Sequence, residues 1–547
     1  MPKTVVSLEL RGLGYRLDNA PLLKGAITVQ GTNSWIRRVE GTGVVASPVA
    51  GEATVSFDLV SLPIIFKEAT KGTIRITDPA AKIDVTVEVE LSEARGRQIV
   101  QIGDPHRPDI PCIERQLVGV KPAEGINAAT GTHRCVGSDG KPFLCTWTVD
   151  DGGSLPDTPT LHDVVRVAKP GFGSDRNLMA WAMAEFGDCL YVGTSNWKLD
   201  SFSDYQKWGF GTGPIDNSEG AEVWRLSCPP GGHGEDGTWT CVLRAGLGAP
   251  YNHGIRNMEA IGGHLYAITA NHTDGCEIWR THDGEDWTPV ITGGFGSRAN
   301  TSGRGLAEFG DYIYAGTENK ESGAEIWRAP LDRAGDASAW ERVLGGDVSR
   351  SWYASLVLFN GHLYAASLAA DTSLKESEEK AGMERGCFVV RTSDGIHWEE
   401  VVEGGFGNQQ NIGILCCAVL RDRLYFGTSN IQGCEVHSSA DGVNWELNLK
   451  LKGSETRLAE PGEGDWHGWA LAAFNDRLYF GLGRLHHIWW SGCGLWSTQD
   501  GHEWVLEMDG TLLAHYGIRT MTEYRDRLYI GTASFPDCAT VMEAQRV

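Results

Sequence analysis

The chain has 547 residues and a formal charge of −23, with 71 acidic against 48 basic side chains. That excess of carboxylates repels nucleic-acid phosphates and anionic lipid, so neither is an expected partner. Hydrophobic residues make up 41% and charged residues 22%, which supplies a large core and excludes a disordered chain. Glycine (70) and tryptophan (20) are both abundant, as expected of many tight turns between short strands.

Met1-Pro2-Lys3-Thr4-Val5-Val6 lacks the zones of a secretory leader, and no run of 18 apolar residues is present. Thirteen cysteines, an odd number, fit free thiols better than a complete disulfide framework. The expectation is a cytoplasmic protein with no membrane span.

Residues 1–100 hold the segments TVVSLEL, GAITVQG, ATVSFDLV, TIRITD and KIDVTVEVEL, which alternate apolar and polar at period two. They predict a small antiparallel β-sandwich-like domain. Residues 101–163 are rich in Pro, Gly and Asp and carry Cys112, Cys135 and Cys145; they read as a linker packing on the repeats that begin at residue 164.

From residue 164 the sequence repeats. The phrases AEFGDCLYVGTSN (184–196), EAIGGHLYAITAN (259–271), AEFGDYIYAGTEN (307–319), VLFNGHLYAASLA (357–369), AVLRDRLYFGTSN (418–430), AAFNDRLYFGLGR (472–484) and TEYRDRLYIGTAS (522–534) are seven copies of one pattern. Their Leu/Ile residues stand at 190, 265, 313, 363, 424, 478 and 528. Gly-Ala/Cys-Glu-Val/Ile-Trp-Arg follows in three copies (220–225, 275–280, 323–328). A turn of the form Ser/Thr-x-Asp-Gly-x-x-Trp follows in four (281–287, 392–398, 439–445, 498–504). Asp-Gly between strand-like runs marks a hairpin. Four short strands per unit of about 50 residues is the pattern of a propeller blade. The seventh unit runs out of chain without its Trp-bearing strand. Val165–Gly173 matches the corresponding stretches 289–296 and 401–407, so it would close the last blade. The fold expected is all-β: a seven-bladed propeller over 164–547, preceded by the smaller domain.

The hairpins and the Gly-Ala-Glu-Ile-Trp-Arg phrases resemble Asp-box and other bacterial propellers. The combination of an N-terminal β module with this propeller is similar to the cyanobacterial alkylating enzymes that build cylindrocyclophanes and bartolosides. That resemblance implies a reaction joining a secondary alkyl chloride to an aromatic ring or a carboxylate. The Gly/Asp nonapeptides associated with calcium binding in that family are absent here, so calcium is not indicated and no other cofactor is.

Positions that repeat in every unit belong to the scaffold. Cys276, Cys387, Cys434, Cys493 and Cys538 stand where other units carry Ala221 and Ala324, and read as small buried packers. Cys228 and Cys241 flank one hairpin and could pair under oxidation. Glu222, Glu277, Glu325 and Glu435, and the Asp of each hairpin, read as turn or inter-blade contacts.

Site residues should instead differ from unit to unit. Nine residues before each Leu/Ile the chain gives Trp181, Arg256, Arg304, Ala354, Leu415, Trp469 and Arg519. The segments leading into the first strands also carry His253, Trp352, Trp466 and Tyr516, with Asp465, His467 and His515 close by. His253-Gly-Ile-Arg256 and Tyr516-Gly-Ile-Arg519 share a phrase. Three guanidiniums at a channel mouth would bind a carboxylate, phosphate or leaving halide; the alternative is that each pairs with a carboxylate between blades. Asp465, His467 and Tyr516 are candidate general bases. Trp197 and Trp208 open and occupy a long aromatic loop that could cover an apolar ligand. No three-ligand metal spacing appears. The leading expectation is an enzyme acting on a small apolar or aromatic substrate at the channel mouth. The alternatives are a glycan- or protein-binding propeller, and a hydrolase or lyase of an anionic sugar.

Overall fold

In a computed structural model of the chain, the described residues are the strand backbones between 5 and 150, Ile215, and the segments 161–198, 217–368, 386–430, 432–451, 467–483, 494–509, 515–534 and 538–546. The fold is all-β. Among the described residues there is no α-helix, only short 3-10 turns, and therefore no helix long and apolar enough to cross a membrane.

Five small antiparallel sheets occupy residues 5–150. The largest runs in the order Val5–Arg11, Thr70–Asp78, Ile83–Leu91, Val120–Lys121. The segment expected to be a linker carries regular structure of its own. Val120–Lys121 extends that four-stranded sheet, and Ala128–Val136 pairs with Pro142–Asp150 over nine residues each.

The 28 strands from Leu161 to Arg546 form one large antiparallel sheet system. Their order follows the sequence repeats, called units 1–7 here. Each Leu/Ile-Tyr phrase begins the second strand of its unit: Cys189–Asn196, His264–Ala270, Tyr312–Glu318, His362–Leu368, Arg423–Ser429, Arg477–Gly483 and Arg527–Ser534. The first strands are Asn177–Phe186, Gly254–Ile261, Ser302–Phe309, Trp352–Phe359, Gly413–Leu420, His467–Phe474 and His515–Tyr524. The second strand of each unit also touches the first strand of the next through a single pair: Ser195↔Gly254, Ala270↔Ser302, Glu318↔Trp352, Leu368↔Gly413, Ser429↔His467, Gly483↔Gly517 and Ala533↔Met179. Leu161–Arg166 pairs antiparallel with Val541–Arg546, the third strand of unit 7. One apolar core lies between each two neighbouring units, including units 7 and 1.

The repeated polar residues join units to one another. Asn300 Nδ2 donates to Gly294 O in unit 2 (2.9 Å) and to Glu325 Oε2 in unit 3 (2.7 Å). Its Oδ1 accepts from Thr317 Oγ1 (3.3 Å) and Asn319 Nδ2 (3.0 Å). Trp327 Nε1 donates to the same Glu325 oxygen (2.9 Å). Asn177, Asn252 and Asn411 repeat this arrangement with Glu222, Glu277 and Glu435. The repeated glutamates are structural, as their recurrence suggests. The Phe of each Gly-Phe-Gly turn adopts positive φ (Phe172 54°, Phe295 57°, Phe406 60°) and stacks on the next unit's Trp224, Trp327 or His437 at 4.9, 4.8 and 4.2 Å.

The Asp-Gly hairpins answer the Leu-Tyr phrase. Asp283, Asp394, Asp441 and Asp500 accept from the backbone N–H groups two and three residues on, which fixes each turn. The glycine sits above the tyrosine of the preceding unit. A Cβ on Gly395, at φ +78°, would fall 1.8 Å from Tyr314 Oη; Gly442 meets Tyr364 and Gly284 meets Tyr191 in the same way. Cys276, Cys387, Cys434 and Cys538 are buried as expected, and no disulfide joins Cys228 to Cys241. Cys112, Cys135, Cys145 and Cys493 lie outside the described side chains.

This packing makes Gly395→Ala destabilising through both overpacking and positive φ, by about 1–3 kcal/mol in urea denaturation. Adding Tyr314→Phe removes the blocking oxygen and should recover part of the loss. Additive effects of the two changes would refute the contact.

Candidate functional site

A regular strand alternates its side chains between two faces, so one extra residue is needed to re-aim a side chain. Each first strand carries such a bulge at the same place. In unit 2 the register passes from Ile255↔Thr269 to Asn257↔Ile268, which makes Arg256 the additional residue. The same shift picks out Trp181, Arg304, Ala354, Leu415, Trp469 and Arg519. These are the seven residues found nine before the Leu/Ile. The backbone feature is constant and the side chain varies, as a scaffold presenting a site requires.

The variable side chains meet. The Arg256 guanidinium carbon lies 3.7 Å from the Trp181 ring centre, and that of Arg519 lies 5.0 Å from Trp469 and 6.0 Å from Trp181. Arg304 lies 3.5 Å over Trp352 and forms a buried ion pair with Glu318. All three arginines share one electrostatic environment. Burial lowers the pKa of Arg256 well below the usual value, and repulsion from Arg304 and Arg519 lowers it further.

The shared phrase Gly-Ile-Arg now has a cause. Gly254 and Gly517 lie against the indole of the preceding unit: an added Cβ would fall 1.9 Å from Trp181 and 2.2 Å from Trp469. Ile255 and Ile518 are fully buried in inter-unit cores. The arginine then emerges at the bulge, over the same indole. Trp181 and Trp469 therefore support arginines.

His467 is buried, with Nδ1 and Ser429 Oγ 2.9 Å apart. Burial and then Arg519 push its pKa down to about 3, so it is neutral. His253 forms a continuous aromatic group with Trp181 (6.3 Å), Trp197 (5.8 Å) and His272 (5.1 Å). Asp465, Trp466 and Trp208 lie outside the described residues, as do the side chains of His515 and Tyr516. Asp465 and His515 stand thirteen residues before their Leu, where units 1, 2, 3 and 5 carry the linking asparagine.

Three residues of the cluster were missed in the sequence. Glu318 stands five residues after its Ile, where units 1 and 5 have Ser195 and Ser429. His272 and Lys320 stand seven after, level with Trp197. Burial alone would raise the Glu318 pKa. Arg304 first, then Lys320, His272 and Arg256, more than reverse this and hold it at about 2. Lys320 Nζ lies 3.4 Å from its Oε1. The signal was a charged or ionisable residue in, or directly after, the phrase that reads Gly-Thr-Ser-Asn in units 1 and 5.

A separate surface cleft of about 910 Å³, lined by Asp347, Arg350, Phe388 and Glu400 among others, includes none of the three arginines. Among the described residues, no group of three or more His, Cys, Asp or Glu side chains is placed to hold a metal.

No family model matches the chain, and no curated protein does. Solved structures show distant likeness. A structure of U3-55K aligns with 71% of this chain and 100% of that one, at 12% identity and a TM-score of 0.42. A polysaccharide lyase of family PL25, an ulvan lyase, aligns over 69% and 95%, at 10% identity and 0.43. A puromycin-hydrolysing peptidase of Mycobacterium tuberculosis aligns over 70% of this chain and 52% of that one, at 15% identity and 0.39. Likeness at this level carries no argument about function.

Glu318 gives the pH test of this cluster. A carboxyl held near 2 rather than the usual 4.5 contributes stability that is complete above about pH 4.5 and is lost as pH falls toward 2. Glu318→Gln lacks that contribution. The stability difference between wild type and variant should shrink between pH 5 and pH 2, by on the order of 3 kcal/mol. A difference that stays constant over that range would show that Glu318 is not the counter-ion of the arginines.

Proposed function

We propose that residues 164–547 are a seven-bladed β-propeller and that its channel mouth is an enzyme site for a small organic anion. The seven inter-unit pairs, the core between units 7 and 1, and the pairing of Leu161–Arg166 with Val541–Arg546 support the closed ring. On this reading residues 1–100 form the separate β module, with 101–163 leading from it to the ring.

The observation that carries the site is the placing of Arg256, Arg304 and Arg519 at equivalent bulges of units 2, 3 and 7, close enough for Arg256 to be repelled by both others. Buried like charges in mutual repulsion cost stability, and an anion bound between them relieves the cost. Indole faces hold the guanidiniums, and guanidinium N–H edges match a planar or tetrahedral anion. Proton transfer falls to His467, or to Asp465 or Tyr516. Alkylation, which the family resemblance implies, is one reaction such a clamp serves. The halide leaves toward the arginines while the base takes the proton of a phenol.

Arg256→Met separates the functional role from a structural one. Arg256 lies in a repulsive environment, so the variant should melt no lower than wild type, or higher. Its affinity for benzoate or phenyl phosphate, measured calorimetrically, should fall at least tenfold, or about 1.4 kcal/mol. Arg519→Met should behave likewise. Lower melting with unchanged affinity would make the arginines structural. Binding without halide release from any phenol and alkyl chloride pair would leave a binding module.

A further inference from the structure

The linking asparagine stands at the boundaries leading into units 1, 2, 3 and 5. The boundary between units 3 and 4 is built differently. Arg350 occupies the asparagine position, thirteen residues before Leu363. Phe388 takes the place of the repeated glutamate and Val390 that of the scaffold tryptophan, as the pairing of Val389 with Val402 shows. The turn is also shorter. Ile291 and Asn300 stand nine residues apart, as do Leu243 and Asn252, and Val402 and Asn411; Leu344 and Arg350 stand six apart. The three lost residues include the stacking Phe. All four partners of the usual link are thus replaced together at one boundary.

A set of charges stands in their place. The Arg350 guanidinium lies 4.8 Å over the Phe388 ring. It pairs with Glu400 on the fourth strand of unit 4, and its Nε stands 3.1 Å from Asp347 Oδ2 in the shortened turn. The four linking asparagines are sealed from water, each at 0% exposure, whereas the side chains of Arg350, Asp347 and Glu400 are 18, 51 and 30% exposed. All three charged groups line the surface cleft of about 910 Å³. Ion pairs that water reaches are weak and are screened by salt; a buried, fully bonded amide is neither.

Two residues beyond Arg350 is Trp352. Its ring lies 3.5 Å from the Arg304 guanidinium, and its backbone pairs with Glu318, the ion-pair partner of Arg304. We propose that Asp347, Arg350 and Glu400 form an ionic latch on the boundary between units 3 and 4, and that this boundary opens ahead of the amide-linked ones to admit solvent and solutes to Arg304. Release of the latch lets the Trp352 segment part from unit 3 and uncovers the guanidinium. The boundaries on either side, before units 3 and 5, are held by buried amides and stay closed. The latch goes beyond the anion-site reading and stands whether or not an anion binds.

Matching backbone bonds in adjacent boundaries supply an internal control. Across the latch, Asn319 N donates to Ser351 O (2.9 Å) and Ala324 N to Arg350 O (2.7 Å). One unit earlier, Asn271 N donates to Thr301 O (2.8 Å) and Cys276 N to Asn300 O (2.7 Å). The test is hydrogen exchange on the full chain, read by mass spectrometry over 319–324 and 271–276. Raising sodium chloride from about 50 mM to about 1 M should speed exchange in 319–324 about threefold or more and leave 271–276 nearly unchanged. Arg350→Gln should do the same at low salt. In that variant phenylglyoxal, which labels guanidiniums that reach solvent, should modify Arg304 about fivefold faster than in wild type. Labelling of Arg477, a comparably buried arginine of unit 6, should not change. Glu400→Gln is the second variant should Arg350→Gln fail to fold by circular dichroism, and the salt series needs no variant. Equal acceleration of both segments, or exchange in 319–324 that ignores salt and substitution alike, would overturn the latch. Faster exchange with Arg304 still unlabelled would overturn this boundary as the way in to the arginine.

Discussion

One buried amide holds the large sheet system in register. In four places an asparagine donates to a turn of one unit and to a glutamate of the next, while its carbonyl accepts from a threonine and a second asparagine. Every hydrogen-bonding capacity of that side chain is used away from water, one bond reaching the turn of the preceding unit and the others gathering groups of its own unit. Such a network tolerates no smaller or apolar replacement without orphaning several groups together. The glutamate in turn orients the scaffold tryptophan, against which the Phe of the preceding turn stacks. Polar and aromatic repeats thus form one mechanism for setting the spacing and angle between units.

With the units fixed, the bulge of each first strand becomes a general-purpose mounting. It costs one unmatched residue and re-aims a side chain at nearly constant geometry. Five of the seven mountings carry Arg or Trp, and four of these alternate: Trp469, Arg519, Trp181 and Arg256 follow one another through units 6, 7, 1 and 2. The indoles of Trp181 and Trp469 lie against the guanidiniums of Arg256 and Arg519, and Glu318 pins Arg304.

The repeat architecture was legible because its signals lie at fixed offsets from a conspicuous Leu-Tyr pair. Counting back nine residues is enough to locate Arg256, Arg304 and Arg519, since each unit has the same bulge. Counting forward would have found Glu318, which replaces the Ser of Gly-Thr-Ser-Asn, and His272 and Lys320, which follow the Asn of that phrase. The role of Trp181 and Trp469 was not legible. Whether an indole faces a ligand or an arginine depends on Gly254 and Gly517, which belong to the neighbouring unit more than 40 residues away in sequence. Asp465 stands thirteen residues before its Leu, at the position where four units carry the linking asparagine. The regular strands within 101–163 were hidden by turn-forming residues concentrated between them.

The pairing of Leu161–Arg166 with Val541–Arg546 has a mechanical consequence. Leu161 lies directly opposite Arg546, so the first and last strands of the sheet system share one end of one seam. Tension applied at those two points would load the hydrogen bonds of the seam one after another rather than all together. The assembly would peel at low force from this seam, with its remaining units intact. A load carried by the preceding β module relative to the C-terminus would reach the seam first, making it the fuse of the whole assembly.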